Sequence, residues 1–580
     1  MDWFHQGFNP SPIERDRPHP VRWGWLCLSL MAPLYYGLLA IQHAFSQRYV
    51  VQDDARIHIV WLQRFVDPQL FTHDVIADYY SAIQSVGFQW VYGLMAHIGI
   101  TPLVFAKLLP LGLAIIATVY LFHVAHYLLP VPMSGVLVAL IFNQNIWLKD
   151  DLVSATPRAF VYPLFAAFLY YLVRRSPLPC LMTIFLQGLF YPQLMLVEVG
   201  ILTLRLIHWK GLSAKRSRQS TYAVWLGAIA IVGFMLLVFS SGVSNQVGDL
   251  VTAEQMKAMP EFQPEGRREY FGVHPIQFWF SGASGLRFPL FPPIIGIGVL
   301  LPWFAKARSP LAQHLTRDIR ILGQCVIASL GLFGAAHLLF PTLYLPSRYT
   351  FYSLRVVMAI ATGIVLTILL DRLRRWVLTQ RQQYTRLPLY TSMKIWLMGL
   401  LAIAIVVVPA IPAWVIPCQG WVIGTTPSLY QFLAQQPNDT LIASLTAETN
   451  NIPAFAQRSV LVSEELALPY HPEFYTVMTQ RIRDTLAVQY SPDLSTVQSL
   501  LNTYGIDYLI VDRDFQQPLY LSRQHWLLNS SIRAEVRQVK ARLEQGQLPA
   551  IAPLLGHCSV FAEKNLIALD AACITRIKSN

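Results

Sequence analysis

The sequence predicts a mainly α-helical, polytopic membrane protein with about eleven spans and a small α/β domain at its carboxyl terminus. Composition is the first observation: 54% of the 580 residues are hydrophobic, only 13% are charged, and the mean hydropathy is +0.42, values atypical of soluble domains. The second is chain order, because long apolar runs fill residues 23–416 and mixed polarity fills 417–580. The net charge of +12 comes from short loops between apolar runs, so no basic face for nucleic acid is expected.

The first span follows a polar segment, residues 1–22. The apolar stretch after it is too long for the core of a signal peptide and has no small-residue cleavage site, so we expect it to remain uncleaved. Further runs of spanning or near-spanning length lie at 103–129, 131–148, 159–173, 222–240, 287–305, 321–340, 353–370 and 394–416. The stretch 178–208 is too long for one upright helix, and it predicts two shorter helices that meet at Pro192.

Loop charge orients these spans, because cytoplasmic loops carry an excess of Lys and Arg. Such loops lie at 174–179, 209–220, 306–320 and 372–386. We take the amino terminus, residues 1–22, to be cytoplasmic. All four basic loops are then cytoplasmic only if residues 82–99 form a surface helix that does not cross the membrane. The transmembrane domain, 23–416, then has a large first outer loop at 46–102, and 417–580 is extracytoplasmic. The expected location is a plasma or inner membrane.

The tail predicts a small layered α/β domain. Short buried strands are expected at TLIASL, RSVLVS and DYLIVDR, with helices at 473–489 and 494–504 between them. No Gly-rich phosphate loop follows a strand, so nothing indicates nucleotide binding there. Cys418, Cys558 and Cys573 should face an oxidising compartment, and a bridge between Cys558 and Cys573 is one pairing that this allows.

Charge is concentrated at the start of the first outer loop, where the chain leaves the first span. Asp54 and Asp74 could each cap a helix, since a carboxylate accepts hydrogen bonds from the free N–H groups of a first turn. Capping does not explain Asp53 beside Asp54, with Arg56 and His58 close behind. A functional interpretation is the alternative, because these charges lie together just where the first span reaches the membrane surface.

This order of elements resembles the GT-C superfamily of polyprenyl-phosphate-sugar-dependent glycosyltransferases over nearly the whole chain. It is similar to protein mannosyltransferases, aminoarabinose transferases and oligosaccharyltransferases, whose first outer loop bears an acidic pair that Asp53 and Asp54 match here. Oligosaccharyltransferases place a second acidic motif in the next outer loop, where this chain has LKDDLVSATPR with Asp150, Asp151 and Arg158. The tail looks like the outer domains of bacterial members.

The resemblance implies transfer of a sugar from a polyprenyl-phosphate donor to a glycan, lipid or protein acceptor, with Asp53 or Asp54 as base. Arg348 in the last outer loop, and Arg355 a short way into the following span, could neutralise the departing phosphate; snorkelling at the membrane interface is the alternative for both. Substrate-binding residues are expected among Arg56, His58, Asp74, Asp150, Asp151, Arg158, Arg348 and Arg355. Arg267, Arg268, Glu269 and His274 are expected either at the acceptor entrance or as ordinary charges of a solvated loop.

The resemblance leaves the metal undecided, because oligosaccharyltransferases use a divalent ion and protein mannosyltransferases are not generally built around one. The aspartates and His58 and His73 offer ligands suited to Mg²⁺ or Mn²⁺. Two other functions stay open: a transporter or flippase for a lipid or polyol, and a scaffold of the same topology without catalysis. The sequence shows no internal repeat of the transporter type.

Overall fold

The computed structural model describes residues 6–10, 20–207, 215–242, 247–272, 274–306, 309–383, 388–409, 411 and 420–578. Most of the amino-terminal segment, residues 209–214 of a basic loop, Cys418 and most of 410–419 lie outside these residues. The long apolar α-helices are Pro20–Ala44, Pro102–Leu128, Pro132–Ile146, Val161–Arg174, Pro177–Phe190, Pro192–Ile207, Lys215–Gly242, Arg320–Leu338, Arg348–Gln383 and Leu389–Val407.

Five described helices are long and apolar enough to cross a membrane: Trp23–Ala44, Pro102–Leu128, Thr221–Val238, Arg317–Leu338 and Arg348–Gln383. Shorter apolar helices, among them Pro132–Ile146 and Pro177–Phe190, pack beside them. Helices Pro177–Phe190 and Pro192–Ile207 meet at Tyr191, as predicted for 178–208, because Pro192 begins a new helix and cannot continue the old one. The total of eleven spans stays a prediction.

One predicted span is wrong in its secondary structure. The run 287–305 is not a continuous α-helix, because it contains a 3₁₀ helix, Pro293–Leu300, followed by the short α-helix Leu301–Lys306. The sequence FPLFPPIIGIG explains this, since an α-helix that began near residue 287 would have Pro292 and Pro293 in its interior, where they lack the N–H groups for its hydrogen bonds. Helix Val86–His97 has 12 residues, which at about 1.5 Å per residue is too short to cross the hydrocarbon core.

Helix Arg348–Gln383 lies at the centre of the apolar bundle. Its residues from Tyr349 to Ile368 are buried, and it packs on Pro132–Ile146, Pro293–Leu300 and Arg320–Leu338. A Cβ added to Gly363 would lie 2.5 Å from Val138 Cγ2, so the two backbones approach at a point that only glycine permits. This helix carries Arg348 and Arg355 at its first two turns.

The tail contains a five-stranded sheet. Its strands are β3 (Leu441–Ser444), β4 (Ser459–Val460), β5 (Tyr508–Asp512), β6 (Ser559–Glu563) and β7 (Leu566–Asp570), in the order β4-β3-β5-β7-β6. Strands β3, β4 and β5 are parallel, and β7 runs antiparallel to both of its neighbours. Helices Pro472–Tyr490 and Leu494–Tyr504 connect β4 to β5. A disulfide joins Cys558 and Cys573.

The tail is joined to the membrane-proximal loops by direct backbone pairing. Strand β1 (Val50–Gln52), at the end of the first helix, pairs antiparallel with β2 (Trp421–Ile423) at the start of the tail. The loop 247–286 also docks on the tail: the buried Glu261 carboxylate accepts from Tyr475 OH at 2.7 Å and from Ser531 N at 2.7 Å. The described parts of the two regions therefore enclose the space between them.

Candidate functional site

A cavity of about 460 Å³ lies where the loops of the helical bundle meet the tail. We call it the central pocket. Its wall is polar and comes from four parts of the bundle loops and one residue of the tail. The charged or polar lining residues used below are Asp53, Asp54, Asp150, Asp151, Arg158, Arg267, Arg268, Glu269, Arg287, Arg348 and Tyr470. Residues as far apart in the sequence as Asp53 and Tyr470 thus line one space.

The first acidic pair begins the short helix Asp53–His58, directly after β1. The cap of this helix is Gln52, whose Oε1 accepts from Asp54 N at 2.8 Å and from Ala55 N at 3.2 Å. The capping interpretation of Asp54 is therefore wrong: the side chain of the preceding glutamine satisfies the first turn and leaves both carboxylates to other partners. Asp53 N donates to the carbonyl of Gly420 at 2.6 Å, which ties the helix start to the tail.

The second acidic pair begins the short helix Asp150–Val153, which has no side-chain cap. The chain then turns sharply at Ala155, whose φ of 54° is in the left-handed region. Tyr92 OH donates to the Ala155 carbonyl at 2.8 Å and holds this turn. A left-handed alanine is strained by its Cβ, and here the turn brings Arg158 back toward the aspartates that precede it.

Arg158 connects the two acidic pairs. Its Nη2 contacts Asp54 Oδ2 and lies 3.1 Å from Asp150 Oδ2, while its Nη1 lies 3.8 Å from Asp151 Oδ1. Burial, and then the negative charge of Asp151, raise the pKa of the Asp150 carboxyl, and nearby arginines oppose this shift. One guanidinium therefore balances carboxylates from two loops.

Asp151 is bonded to Arg355 of helix Arg348–Gln383, the helix at the centre of the bundle. Its Oδ2 accepts from Arg355 Nη1 and from Tyr162 OH, the latter at 3.2 Å, and Arg355 Nη1 also donates to Tyr162 OH at 2.9 Å. The Asp151 and Arg355 side chains are only 2% and 3% exposed. A buried ion pair of this kind depends on both partners, because either charge alone would be left desolvated.

Three further arginines line the central pocket. Arg348 Nη1 donates to Tyr352 OH at 3.0 Å, and its Nε is buried without a hydrogen-bond partner among the residues that the structure describes. Arg268 and Arg287 line the pocket too, and neither forms an ion pair with a described carboxylate. Arg267 is paired with Glu465 of the tail and donates from Nε to the Glu464 carbonyl at 3.0 Å. Guanidinium groups without carboxylate partners are suited to bind a phosphate.

Six of the predicted site residues line this one pocket: Asp53, Asp54, Asp150, Asp151, Arg158 and Arg348. Arg267, Arg268 and Glu269 line it too, whereas His274 is exposed and does not. The loop 247–286 is thus a wall of the pocket.

The other four predicted residues lie outside the lining. Arg56 is buried behind Asp53, contacts its Oδ1, and donates to Asn451 Oδ1 at 2.6 Å. Asp74 caps helix Val75–Ala82 by accepting from Ile76 N and Ala77 N. His58 Nδ1 lies 2.8 Å from Gln84 Nε2, and burial, followed by the charges of Arg268 and Arg348, lowers its pKa to about 4. Arg355 is buried with Asp151. All four support neighbouring groups in this structure.

Three contributions were missed in the sequence. Arg287 is the first residue of the apolar run 287–305, which the sequence predicts as a span, so nothing in the sequence indicates that it belongs to the site. Tyr470 and Gly420 lie in the tail, and no local pattern indicates that they return to the first loop. The QDD triplet itself was a usable signal for a capping residue before the acidic pair, although Gln is an uncommon cap.

The aspartates do not fit a metal centre in their present arrangement. Among the described residues, no group of three or more His, Cys, Asp or Glu side chains is placed to hold an ion. The reason is visible in the ion pairs, because the carboxylates converge on guanidinium groups instead of on a common point at 2.0–2.6 Å, as Mg²⁺ or Ca²⁺ would require. His58, a potential borderline ligand, is bonded to Gln84 outside the pocket.

The long apolar helices, and a polar pocket between their loops and the sheet of the tail, define an integral membrane protein with a site at the end of its bundle. The chain matches no protein-family model and no curated protein. It is similar to the crystal structure of the apo oligosaccharyltransferase from Archaeoglobus fulgidus: the TM-score is 0.52 at 12% identity, over 88% of this chain and 71% of that chain. A structure of that oligosaccharyltransferase, AglB, with an inhibitory peptide and a dolichol-phosphate, gives 0.50 at 11% identity, over 89% and 72%.

ArnT from Cupriavidus metallidurans is also similar, with 13% identity over 96% of this chain and 99% of that chain, but its TM-score of 0.46 is too low to support the assignment. Identities near 12% show the fold alone. The chain shares the fold of these oligosaccharyltransferase structures, as the resemblance seen in the sequence implies.

Proposed function

We propose that this chain is a membrane glycosyltransferase that moves a sugar from a polyprenyl-phosphate donor to an acceptor at the outer face of the membrane. One observation carries the proposal: the carboxylates of Asp53 and Asp54 and the guanidinium of Arg348 line the same pocket. A base for the acceptor and a cation for the leaving phosphate are the two groups that this reaction needs.

In the proposed reaction, an acceptor hydroxyl or amide attacks the anomeric carbon of the sugar. Asp53 or Asp54 takes the acceptor proton, the bond between the anomeric carbon and the phosphate oxygen breaks, and the lipid phosphate leaves as an anion. Arg348 neutralises that anion, with Arg268 and Arg287 in the same pocket. The lipid tail of the donor lies along the bundle, since the pocket is at the end of the apolar helices.

The test of the base uses Asp53→Asn and Asp54→Asn, which preserve shape and remove the negative charge. If one of them is the base, its Asn variant should lose roughly 10²-fold or more in turnover. The assay is transfer of radiolabelled sugar from lipid donor to membrane acceptors, after mass spectrometry has identified the lipid that co-purifies with the full chain. Asp74→Asn is the matched control, because Asp74 also begins a helix of the first loop but lies outside the pocket. Full activity of the Asp53→Asn/Asp54→Asn double variant would exclude both aspartates as the base.

The role of Arg348 is tested by donor titration. Arg348→Ala should raise the KM for donor more than Arg348→Lys does, because the phosphate needs a positive charge first and a planar fork second. Equal donor dependence of the wild type and Arg348→Ala would assign Arg348 to structural support of Tyr352.

The proposed orientation rests on loop charge. Single reporter cysteines at the exposed positions Gln69 and Gln435 should react with an impermeant reagent from outside, and one at Gln382 only from inside. Labelling of Gln382 from outside would reverse the orientation and place the pocket on the wrong side for the proposed donor.

A further inference from the structure

Arg158 occupies the point where the two acidic pairs come together. Its Nη2 contacts Asp54 Oδ2 from the first outer loop and lies 3.1 Å from Asp150 Oδ2 in the second, and Nη1 faces Asp151. Its side chain is 17% exposed, so the guanidinium is largely enclosed by protein while its partners face the pocket. Two acidic loops that approach each other usually require a cation between them.

We propose that Arg158 is that cation: a positioning residue that holds the two acidic loops together in place of a divalent metal ion. The claim that this arrangement serves catalysis rests on the proposed function, whereas the claim that Arg158 takes the place of a metal ion does not. The arginine provides a charge that is present at every physiological pH and that neither dissociates nor depends on metal supply.

The other ion pairs leave little for a metal to bind. Asp53 is engaged by Arg56, and Asp151 by Arg355 and Tyr162. Of the four aspartates, Asp54 and Asp150 remain, and the same nitrogen of Arg158 contacts both. A metal bound to them would have to take the position of that nitrogen, because carboxylate oxygens must approach Mg²⁺ to about 2.0–2.1 Å.

Charge leads to the same conclusion. The four aspartates carry four negative charges, and Arg56, Arg158 and Arg355 supply three positive ones within their ion pairs. The cluster thus retains a single negative charge, which is what a base in the pocket needs. A divalent ion added to this set would make it net positive and would oppose proton transfer to a carboxylate.

The experiment measures Mn²⁺ binding to the purified full chain in detergent, after treatment with a chelator, by electron paramagnetic resonance of free and bound Mn²⁺. The wild type and Asp54→Asn/Asp150→Asn should bind the same amount of Mn²⁺, since neither has a site there. Arg158→Ala exposes both carboxylates and should bind one additional Mn²⁺, at least about tenfold more tightly than the wild type. Adding Asp54→Asn and Asp150→Asn to Arg158→Ala should abolish that ion.

Two outcomes overturn the inference. The first is a wild type that binds one Mn²⁺ more than Asp54→Asn/Asp150→Asn, since a metal then shares the site with Arg158. This comparison uses no Arg158 variant, so it tests the inference even if Arg158→Ala does not fold. The second is a folded Arg158→Ala that gains no ion. Neither measurement uses donor or acceptor, so a failure of the proposed sugar transfer would leave this result intact, and the reverse also holds.

Discussion

The two acidic pairs look alike in the sequence and differ in the structure. Each is an Asp-Asp at the start of a short helix in a loop between apolar helices, and in each the first aspartate is the more exposed. The second members differ: Asp54 is 24% exposed, and Asp151 only 2%. Asp151 is bonded to the central helix, whereas Asp53 and Asp54 begin a helix that is tied to the tail. Both pairs line the central pocket, but the second is also fixed to the helical bundle through the ion pair of Asp151 with Arg355.

The largest expected effect is a difference in the free energy of unfolding between variants of the two acidic pairs. Asp151→Asn leaves Arg355 buried without its counter-charge and should lower the free energy of unfolding by about 3–5 kcal/mol. Asp53→Asn removes a half-exposed carboxylate and should cost about 1 kcal/mol or less. Denaturant titration of the full chain in detergent measures both. Combining Asp151→Asn with Arg355→Gln should recover part of the loss; a double variant no better than the single one would mean that the pair is not the source of the effect.

A smaller effect separates the two helix starts. Gln52→Ala removes the side-chain cap of Asp53–His58 and should cost about 1 kcal/mol in the free energy of unfolding. Lys149 precedes the second helix without a side-chain cap, so Lys149→Ala should be close to neutral. The same titration measures both, and equal costs for the two alanine variants would contradict the capping role of Gln52.

The smallest effect concerns the turn after the second pair. Ala155→Gly relieves the left-handed conformation and should leave stability unchanged or raise it by about 0.5 kcal/mol. Ala55 directly follows the first pair and has a helical conformation, so Ala55→Gly should lower the free energy of unfolding by about 1 kcal/mol. The readout is which of the two glycine variants has the higher free energy of unfolding. A destabilised Ala155→Gly would indicate that the methyl group matters more than the strain.

Local patterns in the sequence were sufficient to predict most of the helices and the approximate site. Apolar length and the proline predicted the break at Pro192, and the resemblance implied that Asp53, Asp54, Asp150 and Asp151 are site residues, all of which line the central pocket. The span at 287–305 failed because hydropathy counts side chains and does not register the N–H groups that prolines lack. The buried partners of the site were out of reach for another reason: the contacts of Asp151 with Arg355, and of Asp53 with Gly420, join residues more than 200 positions apart.

The pairing of β1 with β2 has a consequence for how the protein is made. The N–H of Asp53 is bonded to Gly420, and Val51 pairs with Val422, so the first outer loop finds its backbone partners in a segment synthesised some 370 residues later. At about 5–20 residues per second, this segment is synthesised roughly 20–70 s after helix Asp53–His58. Nearly every apolar helix is inserted in that interval, before the amino end of Asp53–His58 is fixed. Chains that stop before Gly420 therefore reach the membrane with an unfinished pocket, and a quality-control protease could recognise them by an exposed first loop.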